Sequence, residues 1–484
     1  MLEIIIVLLL SICYIISLIP YLRIKEKRVA NNLLNISTLV FIAVYGLLLP
    51  ANYYLSLLGF NSDRNISIYM DYDAIDFLVY YFAIFCVTHA FLFTIKHRKE
   101  VNLYKEKKVE EDGNNNIFNI KVTAIILFLI GVISNYLYLK AYGGYFNYLN
   151  YSGLLRSGII IVNNKYSFIY PFRECILFSS YLFVLIFKNN KKNIFYFVLM
   201  IVSIVLSLSV LYSNKGRLGI VLYLLLVMLA MFKKKHNSFF GIKNIFKITM
   251  FATIGAILIA ILGTKMGRNS DTSFIYLINN EISFAFLNFK KITDYFNINN
   301  YRFFIDIVLF PIYILPSSIW SSKLNVVTSS TINTIAWYGS AKGVNGVYGE
   351  MPIDFVSLSY MQLGYIGIIV LPIFFAIFYH KLFNIPNLIK DNNISQFIKY
   401  YIIISIGIHS LFYSDPYLII KTSFGFIIFI IIYLFINKIN KRFNRRYTKW
   451  FQKRFIIVGL VGSHYLTWQK SVLLVGKNTF QIMR

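Results

Sequence analysis

The stretch Ile194-Phe-Tyr-Phe-Val-Leu-Met-Ile-Val-Ser-Ile-Val-Leu-Ser-Leu-Ser-Val-Leu-Tyr212 carries no charged side chain along its whole length. An α-helix needs about 20 apolar residues to cross the roughly 30 Å hydrocarbon core of a bilayer. Comparable runs recur along the chain, which is 58% hydrophobic and has a mean hydropathy of +0.63. The pattern predicts an all-α, polytopic integral membrane protein.

The apolar runs predict about eleven transmembrane helices, within a range of about ten to thirteen. Basic clusters such as Lys96 to Lys108 and Lys233 to Lys235 occur between alternate pairs of runs. The positive-inside rule assigns these clusters to the cytoplasmic face, which places the N-terminus outside and the C-terminus inside. The predicted spans are 2–22, 33–56, 75–95, 119–139, 171–187, 194–212, 218–232, 244–264, 363–380, 397–413 and 419–436.

The formal net charge of +28 would suggest nucleic-acid binding in a soluble protein. Here the lysines and arginines are concentrated in short loops between apolar runs, so membrane topology accounts for them and no nucleic-acid partner is expected. The three cysteines, Cys13, Cys86 and Cys175, lie in or beside apolar runs. Their positions predict neither a disulfide framework nor a zinc site.

The distribution of polar segments predicts the domain organisation. Residues 1–437 form a single transmembrane domain, and its largest external loop, 265–362, contains short helices. Within that loop, Phe303 to Ile319 is apolar but contains one acidic residue and two prolines. A re-entrant or interfacial element is therefore expected there instead of a crossing. Residues 438–484 form a basic cytoplasmic tail, which suits contact with anionic lipid.

Candidate functional cations lie at the predicted outer membrane face, where a charge at membrane depth is costly enough to indicate function. The segment Ser213-Asn-Lys-Gly-Arg217 joins two spans so tightly that Lys215 and Arg217 lie at the interface. They either bind an anionic ligand or anchor the helix ends. The remaining candidates from the predicted outer segments are Arg156, Arg173 and Arg268.

Candidate sugar-binding residues are aromatic. The segment Tyr142-Gly-Gly-Tyr145-Phe-Asn-Tyr148-Leu-Asn-Tyr151 spaces its tyrosines by three, which places their rings on one face of a helix. Such rings stack on the C–H faces of sugars, or alternatively form an aromatic belt at the membrane surface. Tyr145 and Tyr148 are the candidates here, together with Trp337 and Tyr348 of the long loop.

Candidate bases follow the glycine-rich end of the long loop, Gly343-Val-Asn-Gly-Val-Tyr-Gly-Glu-Met-Pro-Ile-Asp354. The glycines permit close backbone approach to a ligand or serve ordinary turns. Glu350 and Asp354 either abstract a proton from a hydroxyl or are solvated loop carboxylates. His409 is a third candidate base, or a packing histidine. Phosphate-loop, dinucleotide and zinc-hydrolase motifs are absent from the sequence, so no cofactor or metal is expected.

In the layout of its spans and in two short motifs, the chain resembles the Wzy-type repeat-unit polymerases, or O-antigen polymerases, of bacterial surface polysaccharides. Ser209-Val-Leu-Tyr-Ser-Asn-Lys-Gly-Arg-Leu218 is similar to the Ser/Arg-containing segment that opens a span in that family. Gly343 to Gly367 is similar to the family's glycine-rich run, which ends in a Phe-Gly-x-x-Gly-like helix start. Leu363 takes the place of that aromatic residue. The overall layout of spans and one large loop extends the resemblance over most of the chain.

This resemblance implies a polymerase of capsule or lipopolysaccharide synthesis in a bacterial inner membrane. Such enzymes transfer a growing glycan from undecaprenyl pyrophosphate to the terminal sugar hydroxyl of another lipid-linked repeat unit, at the outer face. Arg217, Lys215, Arg156, Arg173 and Arg268 would hold the pyrophosphate, and Glu350, Asp354 or His409 would act as base. The implied partners are the lipid-linked oligosaccharide, membrane lipid, a flippase and a chain-length regulator protein.

Three other functions remain open on the sequence. An O-antigen ligase-like transferase would move finished glycan to another acceptor with the same leaving group. A lipid-linked oligosaccharide flippase would show short loops on both faces and charged residues in a central cavity. A non-catalytic membrane scaffold or sensor would need none of the candidate site residues.

Overall fold

The computed structural model describes most of the chain between Leu2 and Asn440. The predicted span 244–264, Lys215, Arg268 and the tail beyond Asn440 lie outside the described residues. The described ranges are 2–22, 37–38, 40–57, 74–97, 113–157, 164–189, 193–214, 217–231, 274–297, 300–315, 317–320, 324–382, 385–389 and 392–440.

All regular structure within these ranges is helical, which confirms the all-α prediction for the described part of the chain. By length and composition, seven helices among the described residues can span a membrane, and the protein is therefore membrane-embedded. The total of about eleven spans stays a prediction. The seven are Ile75–Thr94, Ile117–Lys140, Ser167–Asn189, Ile194–Ser213, Phe355–Tyr379, Ile394–Phe412 and Pro416–Asn440, and two shorter apolar helices are Ile5–Leu18 and Gly219–Met231.

The remaining helices connect or flank these spans. Tyr145–Ser157 follows the second long span, and Ser329–Tyr338 precedes the span that starts at Phe355. The apolar segment at 303–319 divides into Ile305–Val308, Phe310–Ile314 and Ser317–Trp320, none of which is long enough to cross a bilayer. Ile42–Leu48 is π-helical and continues as the α-helix Leu49–Leu57.

The long segment between 265 and 362 is more than a loop with short helices. It contains the 22-residue helix Phe274–Tyr295, whose aromatic side chains pack on the neighbouring spans. The ring of Phe286 lies 5.5 Å from that of Phe77 and 5.8 Å from that of Tyr80. These aromatic contacts hold the helix against the helical core, because aromatic burial is among the largest packing contributions available to a helix.

The span Phe355–Tyr379 is broken where the sequence predicted a span to begin. Leu363 has φ −152° and ψ 29°, and Gly364 has φ 59° and ψ −140°, so the helical hydrogen-bond ladder is interrupted. The backbone N–H groups of Arg302 and Phe303 donate to the carbonyls of Met361 and Gln362 at 3.0 and 2.9 Å. Arg302 and Phe303 thus supply hydrogen bonds to carbonyl groups that the break leaves without a helical partner inside the membrane region.

The chain divides into two compact units, Met1–Phe429 and Ile430–Arg484. The described part of the second unit is the helical stretch 430–440. The first unit contains all of the residues that form the candidate site below.

Candidate functional site

A cavity of about 510 Å³, which we call the tyrosine cavity, lies within the first unit. Its volume falls in the range of small-molecule sites, roughly 300–1,000 Å³. The helices Tyr145–Ser157 and Gly219–Met231 contribute to its wall together with several of the long spans. Its polar lining consists of Tyr138, Tyr148, Ser152, Tyr170, Glu174, Ser213, Asn214, Lys342, Ser405, His409, Lys421 and Thr422.

This polar lining lies towards one membrane face. Ser213 and Gly219 flank the short connection between two helices, and His409 and Lys421 flank the turn between the spans Ile394–Phe412 and Pro416–Asn440. When two spans are joined by a short connection, the ends that it joins lie at the same membrane face. Since both pairs line the same cavity, the polar end of the cavity belongs to that face.

The deeper lining is apolar and aromatic. Phe178 and Tyr181 come from the span Ser167–Asn189, and further hydrophobic side chains come from the facing helices. The cavity is therefore amphipathic, with a charged and hydroxyl-rich end and a hydrophobic end. The other apolar and aromatic lining residues are Leu155, Leu177, Leu211, Leu222, Tyr223, Leu226, Tyr401, Leu418 and Phe426.

Arg173 organises the tyrosines of this cavity from behind its wall. Its guanidinium carbon lies 4.6, 5.3 and 5.4 Å from the ring centroids of Tyr138, Tyr148 and Tyr170. Its Nε donates to Asn135 Oδ1 at 2.9 Å, and its Nη2 donates to Ser213 Oγ at 3.1 Å. Only 1% of the residue is exposed, so the cation acts through the rings and hydroxyl that it holds in place.

Lys421 is a cation that lines the cavity directly. Its Nζ lies 5.1 Å from the ring centroid of Tyr170 and 5.7 Å from that of Tyr417. The carboxylates of Glu174 and Glu350 are both within electrostatic range of this ammonium. Lys421 thus joins a partly buried charge cluster, which is costly at membrane depth and indicates a functional site.

Glu174 and Lys421 lie on two spans that pack closely against each other. A Cβ atom at Gly425 would lie only 2.8 Å from the carbonyl oxygen of Glu174, so a glycine is needed at this crossing. Lys421 is one helical turn before Gly425 and therefore on the same side of the span. The glycine allows the backbones to approach closely and brings the carboxylate and the ammonium into one cavity.

His409 and Lys342 complete the polar lining. The His409 ring stacks on Tyr413 with centroids 5.3 Å apart and an interplanar angle of 22°. Lys342 belongs to the turn that follows the helix Ser329–Tyr338, so the long segment reaches the cavity at this point. Among the residues that the structure describes, no group of three or more His, Cys, Asp or Glu side chains is suited to hold a metal ion.

The two other predicted bases lie outside the cavity lining. Asp354 is fully buried and accepts hydrogen bonds from the backbone N–H groups of Val356 and Ser357 at 3.1 and 3.2 Å, which caps the helix that starts at Phe355. Burial raises the pKa of Asp354 to about 6. Glu350 is exposed and accepts a hydrogen bond from Thr331 Oγ1 at 2.9 Å.

A second buried aspartate, Asp415, ties the long segment to the turn after His409. Its Oδ2 accepts a hydrogen bond from the backbone N–H of Ser330 at 3.0 Å, and its Oδ1 accepts one from that of Tyr417 at 2.9 Å. Burial, with a smaller contribution from the negative charge of Glu350, raises the pKa of Asp415 to about 6. Asp415 therefore positions the ends of two helices near the cavity.

Of the predicted site residues, the structure brings Tyr148 and His409 into the cavity lining and Arg173 directly behind it. Tyr145 donates to the carbonyl of Ser209 at 3.4 Å, and Trp337 Nε1 donates to Asn288 Oδ1 at 2.7 Å, both away from the lining. Tyr348 is 64% exposed. Lys215 and Arg268 lie outside the described residues, as do the side chains of Arg156 and Arg217.

The sequence analysis missed Lys421, Lys342 and Glu174 as candidates. A signal for Lys421 was present, since it is the one charged residue between Pro416 and Asn437 in an otherwise uncharged run. Glu174 follows Arg173 directly at the start of a span. The sequence does not show that Lys421 and Glu174 line the same cavity, because this depends on how two distant spans pack.

Comparison with known proteins assigns no family. No protein-family model, no curated protein and no solved structure matches the chain. The resemblance to polysaccharide polymerases stays a prediction from layout and short motifs, and the function is inferred from the cavity.

Proposed function

We propose that this protein is a membrane glycosyltransferase that polymerises lipid-linked oligosaccharide repeat units. It would transfer a growing glycan from undecaprenyl pyrophosphate to the terminal sugar hydroxyl of another lipid-linked unit. The observation that carries the proposal is the tyrosine cavity, because one cavity at one membrane face combines Lys421, Glu174 and His409 with a wall of tyrosine rings.

Each part of this cavity suits one part of such a substrate. Lys421 and Lys342 offer positive charge for a pyrophosphate, whose negative charge grows as it leaves. Tyr148 and Tyr170 offer ring faces for sugars. The apolar depth around Phe178 suits the first isoprene units of the carrier, which favour a hydrophobic environment.

The direction in which the cavity faces supports the same donor. On the topology predicted from the basic loops, the connection between Ser213 and Gly219 would lie at the outer face of a plasma membrane. Nucleotide-activated sugars are not supplied there. A donor that brings its own leaving group, such as a glycan on a lipid pyrophosphate, therefore fits this location.

A reconstitution experiment tests the proposal directly. The purified chain in proteoliposomes is supplied with lipid-pyrophosphate-linked repeat units, and the products are separated by gel electrophoresis. A ladder of extended glycans on the carrier lipid is the expected result. Units that stay unextended under all conditions would contradict polymerase activity.

A flippase for the same lipid-linked molecule is the second candidate. The observation that favours it is the position of Arg173, Glu174 and Lys421, all of which lie within membrane spans around a cavity. Buried charges in a central cavity also suit a carrier for an anionic lipid. Translocation of a fluorescent lipid-linked unit without chain extension in the same proteoliposomes would favour the flippase.

Deletion of the gene in its host separates the candidates further. Loss of the long polysaccharide ladder with single units still exported is expected for a polymerase. Complete absence of exported units would indicate a flippase. Accumulation of long polymer on the carrier lipid would indicate a ligase-like transferase.

A further inference from the structure

We propose that Lys421 and Glu174 form the reacting pair of the tyrosine cavity, an inference that rests on the transferase function above. Lys421 contacts a phosphate oxygen of the leaving group, and Glu174 accepts the proton of the acceptor hydroxyl. Both side chains line the same cavity on two spans that Gly425 allows to approach closely.

The choice of Lys421 over Arg173 follows from their surroundings. The faces of the Arg173 guanidinium are covered by Tyr138, Tyr148 and Tyr170, and its N–H groups donate to neutral side chains. Lys421 lines the cavity, and its contacts are ring faces more than 5 Å away. An ammonium has three N–H donors, and contacts with ring faces do not take them up as hydrogen bonds to an acceptor would.

Arg173 is therefore a positioning residue in this scheme. It fixes Tyr170, and the ring of Tyr170 in turn lies beneath the ammonium of Lys421. The two cations share one aromatic ring, so a shift of that ring moves the anion-binding group. Arg173 acts on the substrate through Tyr170 and Tyr148.

The choice of Glu174 over the other carboxylates follows from their hydrogen bonds. Asp354 is committed to capping a helix, and Glu350 accepts hydrogen bonds from Thr331 and Thr328. Glu174 lines the cavity and lies within electrostatic range of Lys421 and Arg173. His409 also lines the cavity, but its ring is stacked on Tyr413.

The pair accounts for the bonds that change in the transfer. The acceptor O–H bond breaks and its proton passes to the Glu174 carboxylate, while the acceptor oxygen bonds to the anomeric carbon of the donor glycan. The bond between that carbon and the pyrophosphate oxygen breaks, and its electron pair leaves with the lipid pyrophosphate. Lys421 stabilises the negative charge that this oxygen gains. Glu174 then releases the proton to solvent or to the leaving group.

Ligand binding tests the Lys421 assignment without any glycan assay. The full chain is purified in detergent and titrated with farnesyl pyrophosphate, with farnesol and inorganic pyrophosphate as separate arms, and binding is followed by thermal stabilisation. Lys421→Met is expected to weaken farnesyl pyrophosphate binding by at least about tenfold, and Lys421→Arg is expected to retain most of it. Farnesol binding should be unchanged in both variants.

Lys140→Met is the matched control, because Lys140 is an exposed cation at the end of the span Ile117–Lys140 and lies outside the cavity lining. It should bind farnesyl pyrophosphate as the wild type does. Equal affinity of Lys421→Met and the wild type would overturn the Lys421 assignment. Stabilisation by farnesol as large as that by farnesyl pyrophosphate would overturn the anion site itself.

Glu174→Gln separates the proton acceptor from the anion site. It should bind farnesyl pyrophosphate at least as tightly as the wild type, because a negative charge near the anion is removed, yet lose at least about a hundredfold in chain extension. Asp294→Asn, which changes an exposed carboxylate outside the cavity lining, should keep most of that activity. Wild-type extension by Glu174→Gln would overturn the assignment of Glu174. Lys421-dependent binding without chain extension by the wild type would support the anion site and overturn the transferase function.

Discussion

Arg302 and Asp306 form a two-point ion pair beside the break in the span Phe355–Tyr379. Arg302 Nη2 lies 2.7 Å from Asp306 Oδ1, and Arg302 Nε lies 3.1 Å from Asp306 Oδ2. Gln362 Nε2 also donates to Asp306 Oδ2 at 2.9 Å, and Asp306 is fully buried. The pair therefore holds in place the segment whose backbone N–H groups donate to the carbonyls at the break.

Asp306→Asn is expected to destabilise the protein by about 2–4 kcal/mol, because it leaves the Arg302 charge without its buried partner. Asp294→Asn is the matched control, since Asp294 forms an i,i+4 pair with Lys290 on the surface with 54% of its side chain exposed. The control should change stability by less than about 0.5 kcal/mol. Unfolding of the purified variants by increasing SDS in mixed micelles measures both values. Equal effects of the two substitutions would contradict this account of Arg302 and Asp306.

Gly367→Ala is expected to destabilise the protein by about 1–3 kcal/mol. The new Cβ would collide with the backbone carbonyl oxygen of Ser359, which cannot rotate away. Gly153→Ala is the matched control, because no heavy atom lies within 4 Å of its added Cβ and the residue is in the helix Tyr145–Ser157. The control should be neutral or stabilising by about 0.5–1 kcal/mol. The same SDS titration distinguishes them, and a neutral Gly367→Ala would show that the kinked span can relax.

Arg173→Met is expected to destabilise the protein by about 2 kcal/mol, since three ring contacts and several hydrogen bonds are lost together. The hydroxyl of Ser213 and the amide of Asn135 would lose their charged donor. Lys165→Met removes an exposed cation that lies over one ring, Tyr166, and serves as control. It should shift the melting temperature by no more than about a degree. A melting temperature of Arg173→Met equal to that of the wild type would contradict the organising role of Arg173.

The contribution of Asp354 and Asp415 to the stability of the protein should increase as the pH falls from about 7.5 to 5. Burial raises the pKa of Asp354 and of Asp415 from 3.8 to about 6 in the folded state. The folded state therefore takes up these protons at higher pH than the unfolded state, and the cost of burying each charge fades below pH 6. Over this pH range each group contributes about 1–2 kcal/mol to this dependence.

The double variant Asp354→Asn with Asp415→Asn checks the pH prediction, because asparagine keeps an oxygen that accepts the backbone hydrogen bonds. Thermal unfolding is measured across the pH range for the wild type and the double variant. The rise in melting temperature on acidification should be smaller in the double variant. An equally large rise in both proteins would assign the effect to other groups.

Local features of the sequence account for the helices. The run from Ile194 to Tyr212 is predominantly apolar and carries no charge along its whole length, and the structure has the span Ile194–Ser213 there. The helix Phe274–Tyr295 was harder to recognise, because its polar residues made the segment look like a loop. The packing of its Phe286 against Phe77 and Tyr80 is visible only in the structure. The start at Phe355 instead of Leu363 follows from a cap by Asp354 and a backbone insertion at the break, neither of which hydropathy reports.

The candidate site was predictable only in part. Tyr148, Arg173 and His409 were recognised because aromatic and ionisable residues near span ends are conspicuous in an apolar sequence. Asp354 carries a chemical group suited to a base, but its burial and its cap hydrogen bonds are visible only in three dimensions. Lys421 was overlooked as a single charge within the last span.

By itself, the sequence determined a helical, membrane-embedded chain, because the preference of a segment for hydrocarbon depends mainly on its own residues. It also determined which residue types were available for chemistry. Only the tertiary structure decided that Lys421 and Glu174 share one cavity and that Asp354 does not. The physical reason is that the packing of distant spans depends on close approaches such as the one at Gly425, which no local pattern encodes.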